Sequence, residues 1–123
     1  MSRILVVDDA ATVRMYHRSV LEAAHYIVDE AVNGLEALEK ALSTPFDLYL
    51  VDINMPKLDG YGFLQRLRNE PIAQVPAIMV STEAAEHDQM RALEAGASLY
   101  LIKPLKPADL LVHVRLLLGE ALA

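Results

Sequence analysis

The stretch from Asp47 to Gly60, Asp-Leu-Tyr-Leu-Val-Asp-Ile-Asn-Met-Pro-Lys-Leu-Asp-Gly, limits what this chain can fold into more than any other. Leu48, Tyr49, Leu50 and Val51 form an apolar run without polar alternation, the pattern of a strand covered on both faces. The run ends on the carboxylate Asp52. An unpaired carboxylate inside such a strand is costly to desolvate, so Asp52 belongs at its last position, where it emerges into a crevice and meets a cation. Pro56, Asp59 and Gly60 then mark a tight loop.

Four further runs share that form. Ile4 to Val7 ends in Asp8-Asp9, and Tyr26 to Ala31 carries Asp29 and Glu30, which suits a sheet edge. Pro76 to Val80 delivers Ser81 and Thr82, and Leu99 to Ile102 ends in Lys103-Pro104. Helical periods lie between them. Helix one covers about Thr12 to Ala24, with Val13, His17, Val20 and Ala24 near one face and Arg14 and Arg18 pointing elsewhere. Helix two starts at a capping-box variant, Asn33 with Glu36, turns Leu35, Leu38 and Leu42 inward and ends at Pro45. Gly60 to Asn69 makes helix three, burying Phe63, Leu64 and Leu67. Helix four, about Glu86 to Ala95, has a thin apolar stripe of Met90 and Leu93 and stops at Gly96, a left-handed cap. Helix five starts near Pro107 and runs to about Leu118. Leu110, Leu111, Val114, Leu117 and Leu118 form its inward stripe, which leaves Val112 and Leu116 as apolar surface.

Five strands alternating with five helices predict an α/β, doubly wound parallel sheet, because βαβ crossovers are right-handed and cover both faces. The flavodoxin-like order 2-1-3-4-5 puts a switch point between strands one and three, where such folds bind ligands beyond the carboxyl ends of their strands. At 123 residues the chain is expected to be one domain over its whole length, without an output domain. A net charge of -6, with no stripe among the eleven basic residues, argues against nucleic acid as a direct partner. The lack of cysteine excludes disulfides and thiolate chemistry and fits a cytoplasmic location. No run approaches the roughly 18 apolar residues of a membrane span.

The proposed sheet brings Asp8, Asp9, Asp52, Ser81 and Lys103 to one edge, although they are far apart in sequence. Three carboxylates in one crevice repel unless a cation balances them. Hard oxygen ligands without His or Cys suit Mg²⁺, or Mn²⁺ in its place. Mg²⁺ prefers one or two carboxylates plus a phosphate oxygen, which makes a phosphate the missing member. Lys103 supplies a point charge for it and Ser81 a hydroxyl. Asp52 then reads as the nucleophile, since carboxylates accept phosphoryl groups as acyl phosphates.

The chain resembles the receiver domains of two-component response regulators, and most of all the stand-alone chemotaxis regulators. The resemblance rests on Val-Val-Asp-Asp (Val6 to Asp9), Val-Asp-Ile-Asn-Met-Pro-Lys-Leu-Asp-Gly (Val51 to Gly60), Ser81-Thr82 and Tyr-Leu-Ile-Lys-Pro (Tyr100 to Pro104). It implies that Asp8 and Asp9 hold the metal with Asp52 and the backbone carbonyl of Asn54. Asp52 would take phosphate from a sensor histidine kinase of chemotaxis type, or slowly from small phosphodonors. Lys103 would bridge to the phosphoryl group, with a cis bond to Pro104. Ser81 and Tyr100 would form the switch, Ser81 swinging inward and Tyr100 moving from an exposed rotamer to a buried one. Asn54 and Glu83 occupy positions that tune hydrolysis of the acyl phosphate. Ser81 stands where Thr is common, and Thr82 is bulkier than the Ala often found there, which restricts Tyr100.

The resemblance also implies an output face of helix four, strand five and helix five, docking a partner such as a flagellar motor switch protein or a phosphatase. A mostly monomeric chain with an occasional dimer through that face is expected. Its alternatives are a phosphate sink or relay for a shared kinase, and, in another class, a small Mg²⁺-dependent phosphatase with an Asp nucleophile. Enzymes of the haloacid dehalogenase type ordinarily carry a second Asp where this chain has Asn54. A degenerate interaction module is disfavoured by the intact site, and a flavodoxin-like cofactor binder by the lack of a Ser/Thr/Gly-rich first loop. His25, His87 and His113 are scattered, and His17 and Tyr49 read as packed residues.

Overall fold

The computed structural model describes residues 1–121. Its elements are β1 (Arg3–Val7), α1 (Ala11–Ala23), β2 (Ile27–Ala31), α2 (Gly34–Ser43), β3 (Leu48–Asp52), α3 (Gly60–Arg68), β4 (Ala77–Ser81), α4 (Glu86–Ala95), β5 (Leu99–Ile102) and α5 (Pro107–Leu118). The strands form one parallel sheet in the order β2-β1-β3-β4-β5, as the alternation of apolar runs and helical periods predicts. β3 is central and buried at every position. β2, with Asp29 and Glu30, is an edge.

Strand pleating sorts the core into two layers. Leu5, Val7, Tyr49, Val51, Ala77 and Met79 pack with α2, α3 and α4, whereas Ile4, Val6, Leu48, Leu50, Ile78 and Val80 pack with α1 and α5. Phe63, Leu64 and Leu67 of α3 are fully buried, as are Leu110 and Val114 of α5. His17 and Tyr49 are buried too.

Two helices turn differently from expectation. Leu35 and Leu42 of α2 are exposed, and Ala37 and Ala41 are the buried residues, with Leu38 partly covered. The cause is a close approach: the Gly34 N–H donates to the Leu58 carbonyl at 2.9 Å, and a β-carbon on Gly34 would sit 2.4 Å from that oxygen. A helix held this tightly buries its small residues. In α4 likewise, Met90 and Leu93 are half exposed while Ala92 and Ala95 are buried. The Asn33 cap of α2 is formed, its Oδ1 accepting from the Glu36 N–H at 2.9 Å, while Glu36 Oε1 accepts from Val32 rather than from the cap residue itself. Gly96 closes α4 at φ 114°, a left-handed cap as its position predicts.

The two ends of the described chain meet. Glu120 accepts from the Tyr26 hydroxyl at 2.7 Å and from the Ser2 hydroxyl at 3.5 Å, beside the amino-terminal edge of the sheet.

Candidate functional site

Because all five strands run the same way, their last residues share one edge, and that edge collects the polar groups the core excludes. Asp8 follows β1 directly, Asp52 ends β3, Ser81 ends β4 and Lys103 follows β5. Carboxylate oxygens of Asp8, Asp9 and Asp52 all lie within 4.8 Å of one another. Asp8 and Asp52 are buried, at 2% and 8% exposure, whereas Asp9 is exposed. Lys103 Nζ lies between the two buried carboxylates, 2.8 Å from Asp52 Oδ1 and 3.0 Å from Asp8 Oδ2.

The charges are unequal in number, and this governs the site's electrostatics. Burial pushes the Asp52 carboxyl above the usual carboxylate range; the Lys103 hydrogen bond opposes this, and the neighbouring Asp8 charge adds to it. Burial alone would lower the Lys103 ammonium, but its bonds to Asp52 and Asp8 outweigh that and hold it above its ordinary value. One ammonium against three carboxylates leaves an excess of negative charge that a divalent cation would neutralise. The all-oxygen donors and a partly exposed mouth match a hard, partly hydrated ion such as Mg²⁺.

The remaining expected residues surround this notch. Ser81 is buried, and its hydroxyl oxygen accepts from the Glu83 N–H at 3.0 Å, which leaves its proton available to another acceptor. Asn54 and Glu83 are exposed on the loops after β3 and β4. The Lys103-Pro104 bond is cis. Tyr100 is half-buried, and its hydroxyl donates to the Glu83 carbonyl at 2.6 Å, tying β5 to the loop before α4. Thr82 is exposed and lines a cleft of about 380 Å³ beside Lys103, walled by Val13, Tyr16 and His17 of α1 and by Leu105. Tyr16 closes one side by donating to the Leu105 carbonyl at 3.0 Å.

Sequence reasoning missed two contributors here. Tyr16 belongs to no motif, and its partner lies 89 positions away. Arg14, off the apolar face of α1 as its spacing predicts, reaches the site: its Nη1 donates to the Asp8 carbonyl at 2.8 Å and its Nε to Glu30 Oε1 at 2.9 Å. The only signal in the sequence was an arginine one turn into a helix that follows two aspartates.

A family profile described as "Response regulator receiver domain" matches residues 4–115. The transcriptional regulatory protein ResD of Bacillus subtilis is 38% identical over 120 residues, covering 98% of this chain and 49% of its own length. The chain thus spans about half the length of that curated relative. Among solved structures, the chemotaxis protein CheY4 of Vibrio cholerae superposes with a TM-score of 0.90 at 32% identity, covering 95% of this chain and 98% of that one. The receiver domain of the sensor histidine kinase PA1611 from Pseudomonas aeruginosa PAO1 has a TM-score of 0.90 at 29% identity, covering 97% and 98% of the two chains. That structure has a magnesium ion coordinated in its active-site cleft.

Proposed function

Because the chain belongs to the response regulator receiver domain family, we propose that it is a phosphorylation switch whose phosphoacceptor is Asp52. Receiver domains interact with sensor histidine kinases, and the donor proposed here is a kinase phosphohistidine. The observation that carries the reading is the meeting of Asp8, Asp9 and Asp52 within 4.8 Å around the Lys103 ammonium.

In the proposed step a carboxylate oxygen of Asp52 forms a bond to phosphorus as the bond from phosphorus to the imidazole nitrogen breaks. The electron pair leaves with the imidazole. Lys103 sits where it can follow the phosphoryl oxygens, and the Ser81 proton supplies a second contact. Asp8 and Asp9, with Asp52 and the Asn54 carbonyl, are the proposed holders of Mg²⁺, or Mn²⁺ in its place. That ion, when bound, supplies charge neutralisation for the transferring group. Asn54 and Glu83, on the exposed rim, are the proposed modulators of water attack on the acyl phosphate.

Output is proposed to run from Ser81, Thr82 and Tyr100 to the face of α4, β5 and α5, as a shift between existing conformations. Met90, Leu93, Ile102, Val112 and Leu116 leave apolar area exposed on those elements. A chemotaxis role in the cytoplasm, with a motor switch protein as target, draws support from the likeness to CheY4. The likeness to ResD, a transcriptional regulatory protein, keeps a relay or a transcriptional output as the second reading.

Incubation with a small phosphodonor and Mg²⁺, followed by intact mass measurement, tests the core of this. The parent gains one phosphoryl group, chelator prevents the gain, and Asp52→Asn does not label. Equal labelling of Asp52→Asn would sink the assignment.

A further inference from the structure

The notch is braced by an arrangement that the phosphotransfer step does not use. Every polar group of Asp8 is engaged. Its N–H donates to the Ala31 carbonyl at 3.1 Å, Oδ1 accepts from the Ala10 N–H at 2.9 Å, and Oδ2 accepts from Lys103. Its backbone carbonyl accepts from Arg14 Nη1 at 2.8 Å. The Arg14 side chain is only 15% exposed, and Glu30 on the edge strand β2 orients it through Nε at 2.9 Å. Glu30 is in turn bridged to Arg18 on the next turn of α1.

The Asp8 carbonyl belongs to the peptide plane that leads into Asp9. Asp9 is exposed, and among the described residues its carboxylate takes part in no hydrogen bond or salt bridge, so the backbone turn alone aims it. We propose that Arg14 is a positioning residue for the divalent-cation site: held by Glu30, its guanidinium pins the Asp8–Asp9 peptide and so fixes where the Asp9 carboxylate stands. This rests on reading Asp8, Asp9 and Asp52 as that site. Outer groups that orient ligands contribute to metal affinity without touching the metal.

Charge and geometry predict opposite signs, which makes the assignment testable. Arg14 is a cation, so removing it through space strengthens binding of another cation. Removing the brace weakens it. Magnesium titrations of the full chain, followed by amide NMR shifts, read the dissociation constant without any turnover. The parent is compared with Arg14→Met, Arg14→Lys, Glu30→Gln and Arg18→Met, each at a temperature where its melting curve shows it folded.

Arg14→Met is expected to bind Mg²⁺ about tenfold more weakly, the lower end of what outer partners contribute. Arg14→Lys, which keeps the charge but not the planar fork, should also weaken binding, and Glu30→Gln and Arg18→Met, which act only through Arg14, should weaken it less. Equal or tighter binding by Arg14→Met overturns the proposal, as does a lowered melting temperature with unchanged affinity. If Arg14→Met does not fold, unchanged affinity in Arg14→Lys and Glu30→Gln overturns it instead. A parent that binds no Mg²⁺ overturns the cation site itself, and with it this role; a parent that binds isolates the result to Arg14.

Discussion

At the scale of single residues, Asp52 is held in a fold that would be easier to form without its charge. Its carboxyl is raised, chiefly by burial, so between the ordinary value of 3.8 and the raised one the folded state holds more protons than the unfolded state. The group's contribution therefore declines as pH rises through that window and stays unfavourable above it. Asp52→Asn should accordingly melt at a higher temperature than the parent in chelator at neutral pH, a comparison that calorimetry makes directly. His17 has the opposite slope. Burial, against the pull of Asp8 and with a smaller push from Lys103, holds its imidazole below the ordinary 6.5. Its contribution is present above 6.5 and is lost as pH falls toward the lowered value, where the folded state must take up a proton it disfavours. His17→Gln should flatten that limb of the stability–pH curve; an unchanged difference between parent and variant across it would contradict the buried neutral imidazole. The acidic notch itself was legible in the sequence because a charge that terminates an apolar run has only one inexpensive place to go. Arg14 was not legible, since its two partners come from the residue after β1 and from β2 and depend on which strand lies beside α1.

At the scale of elements, the strands and their order followed from apolar runs and crossover handedness, but the facing of α2 and α4 did not. Side-chain size misled there: Leu35, Leu42, Met90 and Leu93 look like a core stripe, whereas close backbone approach at Gly34 selects Ala37 and Ala41 in α2, and α4 buries Ala92 and Ala95. The start of α3 shows the same economy of space. A β-carbon on Gly60 would lie 2.4 Å from the Asp52 carbonyl oxygen and 3.1 Å from the Ile53 α-carbon, both backbone atoms that cannot swing aside. Gly60→Ala is expected to lower stability by about 1–3 kcal/mol, the range for overpacked sites, and to disturb phosphorylation, because the displaced peptide carries the proposed phosphoacceptor. Gly119→Ala, at φ 73° but with nothing among the described residues within 4 Å, should cost only the left-handed penalty of about 1 kcal/mol and leave labelling intact. Urea denaturation of the pair separates crowding from conformational strain. Equal losses would mean that the tight seat of α3 relaxes freely.

At the scale of the whole molecule, a site that gathers repelling carboxylates should couple ion binding to global stability. A ligand that binds only the folded chain stabilises it by about 2.7 kcal/mol when present at a hundredfold excess over its dissociation constant. Magnesium should therefore raise the melting temperature of the parent in a concentration-dependent way, and Asp9→Asn should blunt the rise. A melting temperature indifferent to magnesium would remove the cation from the account. The same architecture has a second consequence, set by the clasp of Glu120 with Ser2 and Tyr26. Parallel strands leave entry and exit of the polypeptide at one pole and the carboxylates at the other. A sequence grafted onto either end would depart away from the notch, and a short bridge joining the two ends, with new ends opened in a remote loop, should leave the carboxylate geometry undisturbed.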